Sequence, residues 1–281
     1  MLCMTGLRSY CSSLKVESAK LASLPIKQLI CKRGFPFQVN KLNPSYQPLS
    51  LFPGWGQATT FLESLIEEFG CKRVLEVGSG ANPTLSPAYA RSRGISCITS
   101  DLDIQELEKA DSTFERVVLD LSLPSISSDL VGQFDCVFSR MVGEHVRDGR
   151  QFHKNIYDLL MPGGISVHCL STLWSLPFAA NMLLPEFISQ RLLNIVSPRD
   201  GHKHGKFPAR YSWGRGPTKK MIRRFESIGF EILSYTGYFG HPYYMQRFPL
   251  LHRAEMVKAK LLLKWPTPHL CSYTTIVLRK S

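Results

Sequence analysis

Lys72-Arg73-Val74-Leu75-Glu76-Val77-Gly78-Ser79-Gly80 is an apolar run that closes on an acid and then two glycines one position apart. A buried parallel strand reads as continuous apolar residues, and glycine, lacking Cβ, lets the backbone turn sharply and touch a ligand. The stretch therefore predicts a strand feeding a ligand-binding turn. A second strand-like run, Ile95 to Ser100, ends at Asp101, where a carboxylate can accept hydrogen bonds from both hydroxyls of a ribose. The first third of the chain is patterned to hold a nucleoside.

Working outward, Phe61, Leu62, Leu65, Ile66 and Phe69 recur at helical spacing and predict a helix leading into that strand. Ala81-Asn82-Pro83-Thr84 can open the next helix, through Arg93, with Gly94 as its exit. Ile104, Leu107 and Ala110 continue the helical rhythm. Strands are expected at Arg116–Asp120, Phe134–Ser139 and Ile165–Leu170, the last after a helix over about 150–161 and a Met161-Pro162-Gly163-Gly164 turn. Strands alternating with helices predict a mostly parallel sheet covered on both faces. A helix over Thr218–Ile228, a strand over Glu231–Tyr235 and a last strand over Tyr273–Leu278 complete the pattern. The segments 171–217 and 236–271 read as insertions, and the domain as residues 50–281.

The chain has 281 residues, 44% of them hydrophobic, enough for a large core. No uninterrupted apolar stretch reaches the ~18 residues of a transmembrane helix, and no long apolar leader opens the chain, which points to a cytoplasmic protein. Eight cysteines include no Cys-x-x-Cys pair; Cys97, Cys136 and Cys169 fall inside expected strands as small buried apolar residues of a reducing compartment. Residues 1–49 form a basic extension. Its first 40 residues hold six Lys and Arg against Glu17 alone, a composition shared by organellar transit peptides and by loosely packed N-terminal extensions; the second is the expectation.

The net charge of +12 is concentrated between Arg199 and Arg224, where nine cations face Asp200 alone. Nucleic acid, an anionic membrane surface and an acidic substrate would each be attracted by it.

In order and spacing, Glu76-Val77-Gly78-Ser79-Gly80, Asp101, Asp120-Leu121, Phe134-Asp135-Cys136-Val137 with Glu144-His145-Val146, and Leu160-Met161-Pro162-Gly163-Gly164 resemble the class I S-adenosylmethionine-dependent methyltransferases, with a domain of methyltransferase type 11-like character. The resemblance covers roughly residues 55–170. It implies a seven-stranded, mostly parallel Rossmann-like sheet with helices on both faces and an antiparallel last strand. S-adenosyl-L-methionine would be the cofactor. Gly78, Ser79 and Gly80 would lie against its methionine part with Glu76 near the ammonium, Asp101 and secondarily Asp103 would take the ribose, Asp120 and Leu121 the adenine, and Ser139 and Arg140 the floor near the methyl group. A dinucleotide fingerprint fails, because Pro83 stands where its third glycine would be.

Methyl transfer needs a base only for an acceptor that must lose a proton early. Glu144, His145 and His241 are the candidates, with His168 read as a core residue. Ser139-Arg140-Met141 supplies no carboxylates for a metal, and His202 and His204 sit among cations, so no metal is expected. The apolar stripe of Trp174, Phe178, Met182, Leu183, Leu184, Phe187 and Ile188 is expected to be a lid helix or the wall of a hydrophobic pocket with a membrane-resting face, and Tyr211, Trp213, Tyr238, Tyr243 and Tyr244 an aromatic rim. A small-molecule or lipid-like acceptor, methylated at oxygen, is the leading expectation. The alternatives are an RNA or protein methyltransferase using the basic 199–224 segment, and a catalytically silent SAM-binding assembly protein. Base methylation is disfavoured, since Ser139-Arg140-Met141-Val142 lacks the Asn/Asp-Pro-Pro-Tyr pattern.

Overall fold

The computed structural model describes residues 44–173, 209–240 and 249–281. All of them belong to one compact unit, Leu42–Leu184 with Phe207–Ser281. In chain order its elements are β1 (Ser45–Pro48), α1 (Ala58–Phe69), β2 (Arg73–Val77), α2 (Pro87–Arg93), β3 (Ser96–Asp101), α3 (Ile104–Glu108), β4 (Glu115–Val118), β5 (Phe134–Arg140), α4 (Gly149–Leu159), β6 (Leu160–Ser171), α5 (Lys219–Glu226), β7 (Phe230–Phe239), α6 (Pro249–Lys264) and β8 (Tyr273–Lys280).

The strands form one sheet in the order β1-β7-β8-β6-β5-β2-β3-β4. Every pairing is parallel except the two that β8 makes, with β6 and with β7. The expected α/β sheet with an antiparallel last strand is therefore present. It has eight strands rather than seven, because Ser45–Pro48, inside the segment read as an extension, pairs in parallel with Thr236–Phe239. Four residues ending in proline carry no alternation to read, and an edge is where a strand tolerates proline.

β2 and β5 run through the centre, and Val74, Leu75, Val137 and Phe138 are almost fully buried, as a strand covered on both faces requires. The Asp135 carboxylate accepts from the backbone N–H of Arg73 (2.9 Å), pinning the start of β2 to β5. Helix α1 buries Phe61, Leu62, Leu65 and Ile66, each worth about 1.5–3 kcal/mol of burial, and ends at Gly70 in the left-handed region (φ +66°).

Several boundaries differ from the sequence reading; the strand expected at Arg116–Asp120 ends at Val118, which leaves Asp120 beyond it. Helix α2 starts at Pro87, capped by Ser86, six residues later than expected, because residues 78–86 are held in a loop by contacts described below. Strand β7 runs on to Phe239, and β6 begins at Leu160, absorbing the glycine turn as an irregularity in its pairing with β5. Tyr211, Trp213 and Tyr238, expected at an aromatic rim, are buried instead. Trp213 stacks on His153 and meets Phe225 edge-on, while Tyr238 packs edge-on to Phe52. Tyr243, Tyr244 and the Trp174–Ile188 stripe lie outside the described residues.

Candidate functional site

Beyond β2 the chain turns through Gly78 (φ +68°) and Gly80 (φ +49°), both left-handed. A Cβ at Gly78 would stand 2.4 Å from Val142 Cγ2, so sterics and backbone both require glycine there. The N–H groups of Gly78 and Ser79 donate to the Ser100 carbonyl at 2.7 and 3.0 Å, which lays the turn across the end of β3. Ser79 Oγ is buried without a hydrogen-bond partner. A buried hydroxyl in that state is costly unless a ligand meets it.

Asp101 stands beside the turn, as the sequence predicts. Its Oδ2 accepts from Gly80 N–H (2.9 Å) and its Oδ1 from Asp103 N–H (3.2 Å). Each carboxylate oxygen keeps further acceptor capacity, and the side chain is half-buried. Asp103 is the cap of α3, its Oδ1 accepting from Gln105 N–H at 2.8 Å. Asp120 takes both the N–H and the hydroxyl of Ser122 through Oδ1 (2.8 and 2.5 Å). Leu121 is buried in the core, with its carbonyl held by Asn155 Nδ2 at 2.9 Å. Leu102, next to Asp101 in the chain, is an open apolar side chain at 58% exposure.

Glu76 does something the sequence did not reveal. Both of its carboxylate oxygens are engaged by Thr84, through the backbone N–H (2.7 Å) and the hydroxyl (2.6 Å). The acid clamps the loop between β2 and α2 from beneath. Burial raises its pKa, opposed by the two Thr84 bonds and by the nearby positive charge of Arg140.

At the end of β5, Ser139 Oγ is bonded to His168 Nδ1 (2.7 Å), both side chains being buried. The His168 pKa is depressed to about 3 by burial, and that of His153, whose ring lies edge-on to His168 at 5.0 Å, is lowered by burial and by His168. Met141, the next residue after Arg140, is left-handed (φ +58°), a conformation that costs a non-glycine residue energy and recurs at functional sites. Three residues later Glu144 is only 2% exposed; its Oε1 accepts from Ser171 Oγ (2.9 Å) and its carbonyl accepts from the N–H groups of Arg210 and Tyr211 (2.7 and 2.8 Å). Oε2 is buried without a partner, and burial raises the pKa of the carboxyl. His145 is exposed on the same loop. His202, His204 and His241 lie outside the described residues, among which no group of three or more His, Cys, Asp or Glu could hold a metal ion.

From Arg210 the chain runs past the end of β6, where Leu173 N–H donates to the Gly214 carbonyl, to a cleft of about 410 Å³ lined by Ser212, Arg215, Lys220, Arg224 and His269 among others. Arg215 is fixed there by Nη1 donating to the carbonyls of Tyr211 (2.5 Å) and Gly214 (2.9 Å). Burial and the charge of Arg224 both lower its pKa. The basic run thus turns part of its charge inward instead of being wholly a solvated face.

The residues missed by sequence reasoning are Thr84, Ser100, Leu102, Val142 and Ser171. None belongs to a spaced pattern; each is defined by what folds against it.

A family model described as a methyltransferase domain matches residues 55–235. No curated protein matches the chain significantly. Among solved structures, phosphoethanolamine N-methyltransferase 2 of Haemonchus contortus with S-adenosyl-L-methionine is 17% identical over 79% of this chain (TM-score 0.48), which spans about half, 52%, of that protein. An S-adenosylmethionine dependent methyltransferase from Mesorhizobium loti is 16% identical over 79% of this chain and 96% of its own (TM-score 0.44). A SAM dependent methyltransferase from Archaeoglobus fulgidus is 17% identical over 79% and 93% (TM-score 0.45).

Proposed function

We propose that this chain, which belongs to the methyltransferase-domain family, is an S-adenosylmethionine-dependent enzyme that methylates an oxygen of a small-molecule or lipid-like acceptor. The observation supporting the cofactor part of this reading is the junction of the Gly78–Gly80 turn with Asp101, closed by the 2.9 Å bond from Gly80 N–H to Asp101 Oδ2. That junction fits the cofactor: a turn with no Cβ to spare at Gly78, a buried Ser79 hydroxyl lacking a partner, and a carboxylate with acceptor capacity left for ribose hydroxyls.

Bound S-adenosyl-L-methionine supplies a methyl group already activated on a sulfonium. The protein is left with alignment and exclusion of water. Gly78, Ser79 and Gly80 would hold the methionine part, Asp101 the ribose, Leu102 and Asp120 the adenine. Glu76, through Thr84, is assigned as a positioning residue for this loop. Glu144 is assigned the same part on the acceptor side, since it ties the loop after β5 to Ser171 and to residues 210–211. His145, exposed on that loop, is the group we assign to remove the proton of a hydroxyl acceptor.

A second reading rests on the cleft of Arg215, Lys220, Arg224 and His269. It favours an acceptor bearing an anionic group, RNA included. Turnover assays with hydroxylated small molecules, phosphorylated ones and RNA separate these.

The first test is calorimetric titration of the protein and of Asp101→Asn with S-adenosyl-L-methionine, S-adenosylhomocysteine and NAD. Binding of the two sulfur nucleosides alone, at least tenfold weaker in the variant, supports the assignment. Equal affinity in a folded Asp101→Asn protein removes Asp101 from the site.

A further inference from the structure

Helix α6 carries two faces of different chemistry. Ala259 and Leu262 are buried against Phe239 and Cys271, which fixes the helix at the β1 and β7 edge of the sheet. The opposite face is apolar and open to solvent: Leu250 is 79% exposed, Val257 58%, Leu261 51% and Trp265 61%. With Ala254 these positions, 250, 254, 257, 261 and 265, follow the helical repeat and form one stripe. Trp265 N–H donates to the Leu261 carbonyl at 2.8 Å, so the stripe continues one residue past the helix.

Cations flank the stripe. Arg253, Lys260 and Lys264, spaced by seven and four, run along one side, and Lys258 stands on the other. The one carboxylate of α6, Glu255, is buried and paired with Lys258 at 2.6 Å. Contiguous exposed apolar surface marks an interaction site, and an apolar helix face bordered by lysines and ending in tryptophan suits the boundary between lipid headgroups and acyl chains.

We infer that α6 docks the protein on an anionic membrane surface, with the stripe seated at the headgroup boundary and Arg253, Lys260 and Lys264 against lipid phosphates. Charge complementarity selects the occupant: a second copy of this chain would set the same cations against one another, while an anionic lipid surface neutralises all of them. The contact is peripheral, because α6 has sixteen residues and no helix among the described residues is long and apolar enough to cross a membrane. The inference rests on α6 alone and does not depend on the identity of the methyl acceptor.

The test is sedimentation of the full chain with phosphatidylcholine vesicles containing, or lacking, phosphatidylglycerol, at low and high salt. Wild type, Val257→Asp with Leu261→Asp, and Lys260→Glu with Lys264→Glu are compared, with circular dichroism and S-adenosyl-L-methionine titration as folding controls. The expected result is salt-sensitive binding to the anionic vesicles only, weakened at least ~10-fold by either double substitution while cofactor binding is retained. Absence of wild-type binding overturns the inference, and so does wild-type-like binding by the folded variants. A wild-type dimer that Val257→Asp with Leu261→Asp converts to monomer also overturns it, since the face would then join two copies. A protein that docks on vesicles yet binds no S-adenosyl-L-methionine would count against the transferase reading alone.

Discussion

On one side of the sheet, β2 and β3 end in polar atoms that find partners at close range: Glu76 with Thr84, the Ser100 carbonyl with Gly78 and Ser79, Asp101 with Gly80. On the other, around β7 and β8, aromatic rings meet, with Phe52 and Trp55 each 4.9 Å from Tyr273 and Phe52 5.2 Å from Tyr238. The first region is a receptacle whose hydrogen bonds leave capacity for a ligand. The second is a packed floor. On the proposed assignment, cofactor binding falls to the first region and stability to the second, and substitutions should separate them.

The harshest way to break that division is Gly78→Val, which demands a left-handed β-branched residue and drives Cβ into Val142. We expect cofactor affinity to fall at least ~100-fold, read by calorimetry, with about 1–3 kcal/mol of destabilisation. Trp213→Ala should do the converse. Removing a ring packed on His153 and Phe225 is expected to cost about 3–5 kcal/mol in thermal unfolding while the cofactor affinity of the folded protein stays within about threefold. If Trp213→Ala loses affinity first, the division is wrong.

Acid sharpens the same contrast. His168 has a folded pKa of about 3, below its unfolded value, so the stability it contributes is complete above about pH 6.5 and is lost as pH falls toward 3, at up to about 1.4 kcal/mol per pH unit. Chemical denaturation of His168→Gln across that window should show a shallower decline than wild type. Glu144 has the opposite sign. Its raised pKa means that its contribution is complete below about pH 4.5 and is lost as pH rises through the folded value, so Glu144→Gln should flatten that slope. The smallest effect is expected from Asp103→Ala, which removes the cap of α3: about 1 kcal/mol, and less than threefold in cofactor affinity. A larger affinity loss would promote Asp103 to a ligand-holding residue.

What was legible in the sequence follows the same boundary. The β2 strand, its glycines and Asp101 could be read because their geometry is set within a few residues: an apolar run, a turn, an acid at a strand end. Glu76 was legible as an acid at that turn but not as a clamp, because its partner Thr84 reaches it only through the shape of the loop that delayed α2. Tyr211, Trp213 and Tyr238 look alike on paper whether they line a pocket or fill a core. Their burial is decided by Glu144, His153, Phe225 and Phe52, which lie a dozen or more residues away in sequence. The short β1 strand was illegible for a simpler reason, since four residues at a sheet edge have no inner and outer face to alternate between.

The position of β8 has a consequence for how the molecule is made. A ribosome releases β1 to β6 first, and β2 to β6 can assemble with one another as they emerge. β7 and β1 cannot join them, because the strand that lies between β7 and β6 is Tyr273–Lys280. Until those residues leave the exit tunnel, the exposed edge of β6 and the strand pair meant to extend it are open to wrong partners, and long-range pairing of this kind closes slowly. The nascent chain can bring the Gly78–Gly80 turn and Asp101 together early, yet it becomes safe from aggregation only when β8 slides into the gap.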